Sequence, residues 1–244
     1  HANAIEMARH LDDDASPKSG RAAFVDAFRS AIRKLARTPA ALLVPPVLGL
    51  DQSSASCAEL ERAAGKPVRE LLALPPSPPG DRLQRALSAG AQKRGVNVVD
   101  AHVTSASPYG NGAGVPKVSS VVVEAPGMRV EVKPKAVVLA GGRWFAGGLV
   151  RDGDAREPLL GLPVVDDGFI VGDSFIGDHL GPFPDSEHHG IFRAGLAVDD
   201  ALRPFDAGGN GAFDNVHCAG SIVGGWDPAR DGTGGAVAAL TDEL

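Results

Sequence analysis

The sequence predicts an α/β chain with a mainly parallel sheet, and three observations carry that prediction. Segments of helical period alternate with short, continuous apolar runs of strand length, the pattern of βαβ units. Residues 118–132 hold two β-rich runs joined by Pro126-Gly127, the pattern of a β-meander. Residues 215–241 combine an apolar strand, a glycine-rich loop and small residues able to open a helix.

The elements follow in order. Asn3 to Leu11 has helical period and runs into Asp12-Asp13-Asp14, read as a solvated turn before Ser16-Pro17 rather than as metal ligands. Phe24, Phe28, Ile32 and Leu35 share one face of an amphipathic helix expected over Arg21–Ala36. Ala41–Val44 is a strand stopped by Pro45. Ser56 and Glu59 read as the capping box of a short helix that ends at Gly65. Val68–Leu74 is strand-like, and the run Pro75-Pro76-Ser77-Pro78-Pro79-Gly80 closes it and marks the best domain boundary. Asp81–Arg94 reads as a helix with Leu83 and Leu87 on one side and Gly95 as its stop. Val96–Val99 is a strand, and Val118–Glu124 with Met128–Val132 forms a hairpin. Ala136–Leu139 is a short apolar strand ending in Ala140-Gly141-Gly142.

Composition excludes several classes. With 244 residues and 43% hydrophobic content the chain can build a core in one large or two small domains. A net charge of −6 without a basic stripe argues against nucleic acid as a partner. No apolar run reaches the roughly 20 residues of a membrane span, since Pro45-Pro46 breaks the stretch from Ala40 to Leu50. No signal-peptide pattern is present. The chain opens at His1, without Met and already in a helix-like segment, so a fragment is expected. Cys57 and Cys218 lack metal or C-x-x-C spacing and read as buried thiols of a reducing compartment. His188-His189 sits in a Pro/Gly-rich loop and reads as surface, with weak acid/base potential. No Ser-His-Asp arrangement or nucleophile elbow occurs, so no catalytic residue and no metal ligand are assigned.

The tail carries the chemistry. The strand ending at Cys218-Ala219-Gly220-Ser221 leads through Gly224-Gly225 to Asp231-Gly232-Thr233-Gly234-Gly235-Ala236. Glycine lets a backbone come close to another group, and bare N–H groups at a helix start suit an anion or a polar heterocycle edge. The segment looks built for a cofactor.

The order of these pieces resembles the flavoproteins of the fumarate reductase type, which have two dinucleotide-binding folds, and within that group the B subunit of anaerobic glycerol-3-phosphate dehydrogenase. The resemblance is carried by Leu74-Pro75-Pro76-Ser77-Pro78-Pro79-Gly80-Asp81-Arg82-Leu83, Gly95-Val96-Asn97-Val98-Val99 and Ala136-Val137-Val138-Leu139-Ala140-Gly141-Gly142. Gly147-Gly148-Leu149-Val150, Arg156-Glu157-Pro158-Leu159-Leu160-Gly161-Leu162 and Gly195-Leu196-Ala197-Val198-Asp199-Asp200-Ala201-Leu202-Arg203-Pro204 add to it. Ala219-Gly220-Ser221-Ile222-Val223-Gly224-Gly225-Trp226-Asp227-Pro228 is its most specific stretch. It runs from about Leu74 to the C-terminus, with fainter similarity over Asn3–Leu11. Two features depart from the pattern. The strand–GxGxxG–helix that holds the flavin phosphates is absent, and a segment of roughly 100–200 residues is expected upstream to supply it. Gly110-Asn111-Gly112-Ala113-Gly114 has the wrong spacing and reads as a hairpin loop, and Gly232-Thr233-Gly234-Gly235 lies too near the C-terminus to open a βαβ unit. Thr233 stands where a Cys or small residue is expected.

The resemblance implies an FAD/NAD(P)-binding, Rossmann-like three-layer fold with a β-meander and a cap or substrate domain. Residues 1–79 would be the cap-like or substrate-side segment, 80–148 the first part of the flavin-binding domain, 149–189 an excursion, and 190–244 its C-terminal part. It implies a flavin, FMN or FAD, with Gly232, Thr233, Gly234, Gly235 and Ala236 aimed at the N1/O2 edge where reduction places negative charge. Gly220 and Ser221 would lie beside the ribityl chain, Gly141 and Gly142 would turn the chain past the cofactor, and Gly224, Gly225 and Asp227 complete the set. Arg82, Arg143, Arg156 and Arg203 are the phosphate candidates, by their forked donors. The implied partners are a catalytic A-type flavoprotein subunit and an iron–sulfur membrane-anchor subunit. The chain would relay electrons from glycerol 3-phosphate toward quinones, in the cytoplasm or on the inner face of the membrane. Another flavoprotein oxidoreductase of the same type, and a non-catalytic scaffold, stay open on these residues.

Overall fold

A computed structural model describes residues 3–14, 19–37, 39–71, 76–110, 114–172, 176–181, 189–232 and 234–241. The chain divides into two compact units, residues 1–99 and 100–244.

The first unit contains α1 (Ala4–Asp12), α2 (Gly20–Ile32), β1 (Leu42–Val44), α3 (Ser53–Ala64), β2 (Val68–Glu70) and α4 (Pro78–Lys93). Its β1 and β2 pair in parallel, Leu42 with Val68 and Val44 with Glu70, with α3 as the crossover. Leu11, Val25, Val44, Leu48, Leu60 and Val68 form the core, and Phe24 and Phe28 pack against it. Asn3 closes a capping box on α1: its Oδ1 accepts from the Glu6 N–H at 2.9 Å, while its own N–H donates to Glu6.

Several expectations are corrected here. The α2 helix stops at Ile32 rather than Ala36, and Leu35 is left half exposed with no core to cover it. Ser56 does not cap α3: it is a buried interior residue whose Oγ donates to the Leu11 carbonyl, and α3 begins at Ser53. The Asp12 carboxylate accepts the N–H groups of Leu50 (2.8 Å), Asp51 (3.2 Å) and Gln52 (2.9 Å), so Asp12 is a buttress of the β1–α3 loop and not part of a solvated turn. The α4 helix starts at Pro78, three residues before the expected Asp81, with Ser77 accepting from the Gly80 N–H. Proline is at home there because the first helical N–H has no partner to lose. Leu83 and Leu87 face outward, and Arg82 holds α4 in place through a close ion pair with Glu70 and a bond to the Gly49 carbonyl at 2.7 Å. Val96–Val99 forms no ladder among the described residues and is exposed. Its β-branched residues favour a pleated, half-buried surface, and here no neighbouring strand provides one.

The second unit opens with an antiparallel meander of β3 (His102–Tyr109), β4 (Lys117–Ala125) and β5 (Met128–Val132). The 110–114 segment joins β3 to β4, and residues 111–113 lie outside the described residues. Next come β6 (Val137–Leu139), the hairpin β7 (Val150–Arg151) and β8 (Ala155–Arg156), and β9 (Val164–Asp166) flanked by β10 (Phe169–Ile170) and β11 (Gly195–Leu196). The short helix α5 (Gly190–Arg193) precedes β11. After β12 (Val216–Cys218) the chain forms a 3-10 turn at 220–222, α6 (Pro228–Asp231) and α7 (Gly234–Leu240).

β12 pairs in parallel with β6, Val216 with Val137 and Cys218 with Leu139. Asn215 clasps the meander to this pair: it exchanges two hydrogen bonds with the Val118 backbone (2.8 and 3.0 Å), and its carbonyl accepts from the Val137 N–H at 2.8 Å. Leu139, Leu149, Val164, Leu196, Val216 and Ile222 lie in the core beneath. Helices and strands are mixed, as in an α/β chain, but parallel ladders among the described residues are confined to β1–β2 and β6–β12, beside one isolated parallel bridge between Leu196 and Val223. The expectation of a mainly parallel sheet is corrected to that extent, because hairpin turns such as Pro126-Gly127 and Asp167-Gly168 return the chain antiparallel. Among the described residues no helix is long and apolar enough to cross a membrane.

Candidate functional site

In open α/β sheets ligands settle in the crevice beyond the carboxyl ends of parallel strands. β6 and β12 are adjacent and parallel, and both run at that end into glycine: Ala140-Gly141-Gly142 and Ala219-Gly220-Ser221. Their two loops are bound to one another by Arg143. Its Nε donates to the Ser221 carbonyl at 2.5 Å, Nη2 to those of Val223 (2.9 Å) and Trp226 (3.0 Å), and Nη1 makes a close bond to the Phe192 carbonyl. The guanidinium lies over the Trp226 ring, 4.8 Å from its centroid. Burial pulls the pKa of the half-buried Arg143 down, and the charge of Asp227 acts against that pull.

The structure therefore gathers Gly141, Gly142, Ser221, Gly224, Gly225 and Asp227 around one side chain. Close backbone packing explains the two glycines that face these loops, Gly148 and Gly195. A Cβ on Gly148 would stand 2.5 Å from the Gly141 carbonyl carbon, so the Gly141-Gly142 and Gly147-Gly148 turns nest without side chains between them. A Cβ on Gly195 would stand 2.5 Å from the Gly224 nitrogen, and here the Gly224 N–H donates to the Leu196 carbonyl at 3.0 Å. Next to it the Gly225 N–H donates to the Arg193 carbonyl at 3.0 Å. Asp227 is buried and begins the α6 turn, its N–H donating to Asp231 at 2.8 Å.

The rest of the tail folds onto the same turn. α7 packs against residues 220–222, and the Thr241 hydroxyl accepts the Gly220 N–H at 2.7 Å. Gly220 and Gly232 hold left-handed backbone at φ +70° and +62°. Thr233 lies outside the described residues. Gly234, Gly235 and Ala236 form the first turn of α7, where N–H groups have no acceptor within a helix. Gly235 differs from the other tail glycines: its φ is not positive, and an added Cβ would meet nothing within 4 Å. Among the described residues, no backbone conformation or packing contact calls for glycine there.

A cavity of about 490 Å³ opens beside Gly141, walled by Leu139, Val121, Gly148, Ile222 and Glu157. Glu157 is 4% exposed and accepts the N–H groups of Leu159 (3.0 Å) and Leu160 (2.7 Å). Burial pushes its pKa up, opposed by those two hydrogen bonds. Cys218, fully buried at the end of β12, is pushed up to about 12 by burial, with a further rise from the charge of Glu157, which makes it an inert thiol.

The four arginines taken for phosphate ligands all have partners inside the protein. Arg82 pairs with Glu70, Arg143 binds carbonyls, Arg156 donates to the Asp152 carbonyl at 2.9 Å, and Arg203 to Asp199 at 2.9 Å. His189 is not simply a surface residue: its Nδ1 accepts the Gly181 N–H at 2.9 Å, while His188 lies outside the described residues. Sequence reasoning misses the Arg143 clamp, the Asn215 clasp and the buried Glu157. An Arg directly after a strand-ending Gly-Gly is the only trace of the first, and nothing local marks the other two.

No protein-family model matches the chain, and no solved structure matches it. Among curated proteins it is similar to the B subunit of the anaerobic glycerol-3-phosphate dehydrogenase of Pectobacterium carotovorum subsp. carotovorum, 32% identical over 244 residues, 98% of this chain and 51% of that protein. The B subunit of the Yersinia enterocolitica enzyme is 31% identical over 215 residues, 87% of this chain and 47% of that protein. A Halobacterium salinarum protein, named as a probable B subunit of the same dehydrogenase, is 31% identical over 207 residues, 81% of this chain and 44% of that protein. The chain spans about half the length of the curated relatives it matches.

Proposed function

On the premise that the chain is a sequence relative of the B subunit of anaerobic glycerol-3-phosphate dehydrogenase, we propose that it forms the flavin-holding C-terminal part of such a protein. The loops after β6 and β12 would take the isoalloxazine and ribityl portions of FMN or FAD. The whole protein would relay electrons from the oxidation of glycerol 3-phosphate toward quinones, beside a catalytic A-type flavoprotein subunit and an iron–sulfur membrane-anchor subunit, on the cytoplasmic face of the membrane. The observation that carries this reading is the pair of glycine-ended parallel strands, β6 and β12, tied into one crevice by Arg143.

The residues fit such a group. Gly235 leaves open space where any side chain would project, so its backbone is free to lie against a flat heterocycle. The first-turn N–H groups of Gly234, Gly235 and Ala236 add partial positive charge, which favours a negative ring edge. Ser221 offers a hydroxyl donor at the second loop, and Gly141 and Gly142 keep that side free of bulk. When bound, the flavin supplies two-electron redox chemistry. The chain's residues bind, orient and polarise, and none is assigned to substrate chemistry.

The full-length protein, combined with its A-type partner, should support reduction of a quinone analogue that depends on glycerol 3-phosphate. Omitting the full-length protein should abolish transfer to the quinone. A flavin-loaded protein that instead turns over only another substrate would point to a different flavoprotein of the same type. A protein that stays colourless with added FMN and FAD would leave a scaffold.

A further inference from the structure

Resting on the flavin reading, we propose that Arg143 is the positioning residue of the site and also its fixed positive charge, raising the reduction potential of the bound flavin. The guanidinium is used as a spool. Carbonyls from Ser221, Val223 and Trp226, successive turns of the tail loop, all point inward to it, and Phe192 adds another from α5. A planar fork of five donors can hold this many acceptors at set angles, whereas a lysine ammonium has three donors and no plane. The ring of Trp226 covers one face of the fork.

The identity of the acceptors gives the residue its second role. The hydrogen-bond acceptors named here are neutral carbonyl oxygens, so these bonds orient the cation without cancelling its charge. Asp227 is the acidic group that acts on it. Gly142 precedes Arg143 directly, and Ser221, Gly224 and Gly225 lie within or beside the clamped loop, so the cation stands among the residues assigned to the flavin. A half-buried positive charge there stabilises the negative charge that reduction places at the N1/O2 edge. A purely structural arginine would change stability and flavin affinity but leave the potential of whatever flavin remains bound unchanged.

The test compares Arg143→Lys and Arg143→Gln in the full-length protein. Three readouts apply: protease sensitivity of residues 220–232 in the flavin-free form, the flavin dissociation constant, and the midpoint potential of the bound flavin. Both variants should lose the fork, giving faster cleavage and a dissociation constant raised about tenfold or more, the scale of losing charge-assisted hydrogen bonds. The potential should fall in the glutamine variant and hold near the wild-type value in the lysine variant. Should the glutamine variant not fold, Arg143→Met, uncharged and of similar length, takes its place, and its potential should fall below that of the lysine variant. Equal potentials in all three proteins, or a lysine variant falling as far as the glutamine one, overturn it. A wild-type protein that binds no flavin overturns the flavin reading itself, and this proposal with it.

Discussion

Replacing Gly195 with alanine should loosen the tail loop by an amount that the backbone geometry sets. The new Cβ would sit 2.5 Å from the Gly224 nitrogen, 2.6 Å from its Cα and 2.7 Å from the Ile222 carbonyl oxygen, where carbon contacts prefer about 3.5–4.0 Å. All three neighbours are backbone, so β11 and the 222–225 loop must part by about an ångström. That movement strains the bonds from Gly224 to Leu196 and from Gly225 to Arg193, each 3.0 Å long. Overpacking of this kind costs about 1–3 kcal/mol and each of the two weakened hydrogen bonds about 1 kcal/mol, for a total of about 3–5 kcal/mol. Gly235→Ala is the internal control. Its Cβ points into open space, and alanine in a helix gains about 0.5–1 kcal/mol over glycine. Urea unfolding followed by tryptophan fluorescence reads both, since Trp226 sits in the affected loop. A Gly195→Ala protein within about 0.5 kcal/mol of wild type, the ordinary scatter of surface changes, would show that the close approach of β11 to the loop is wrong.

Three further outcomes follow from the same geometry. Asp12→Ala removes the acceptor for three loop N–H groups and should cost about 2–3 kcal/mol in urea unfolding; an unchanged midpoint would mean that the β1–α3 loop holds itself. Glu157 has a folded-state pKa raised above its ordinary value of 4.5, so burying it is easy below that value and is penalised as pH rises through the raised one. Glu157→Gln should therefore gain stability relative to wild type as pH climbs from acid toward neutral, and a stability difference that does not vary with pH would contradict the burial argument. Cys218, fully buried and pushed up to about 12, should resist a thiol reagent in the native protein while Cys57, half-buried in α3, reacts first; equal rates would show that the β6–β12 sheet opens readily.

Local signals in the sequence located most elements. The helical segment over Asn3–Leu11, the Gly65 stop, the Pro126-Gly127 turn and the apolar run at Val137–Leu139 each depend on near neighbours, and each stands where the residues place it. Misreadings arose where the partner was distant. Ser56 and Glu59 have the spacing of a capping box but do not cap α3, and Asp12, some forty positions away in the chain, holds the loop that leads into it. The stretch Val96–Val99 has strand propensity and no strand beside it among the described residues, and propensity alone does not make a ladder. At the site, the glycines were legible and their reasons were not. Only three-dimensional packing separates Gly224, which its neighbour Gly195 requires, from Gly235, which no packing among the described residues requires. Arg143 was visible as an arginine with forked donors, but no pattern of charge or spacing could show that the fork closes on carbonyls of the tail rather than on a phosphate.

The most direct test of the central claim is the near-ultraviolet and visible absorption spectrum of the purified full-length protein and of this chain, each recorded before and after addition of FMN or FAD and removal of the excess. The account predicts flavin bands in the full-length protein, weakened or lost when Gly235 is replaced by valine, whose side chain would fill the open space beside α7. Spectra without flavin bands in both proteins, even after loading, would contradict it.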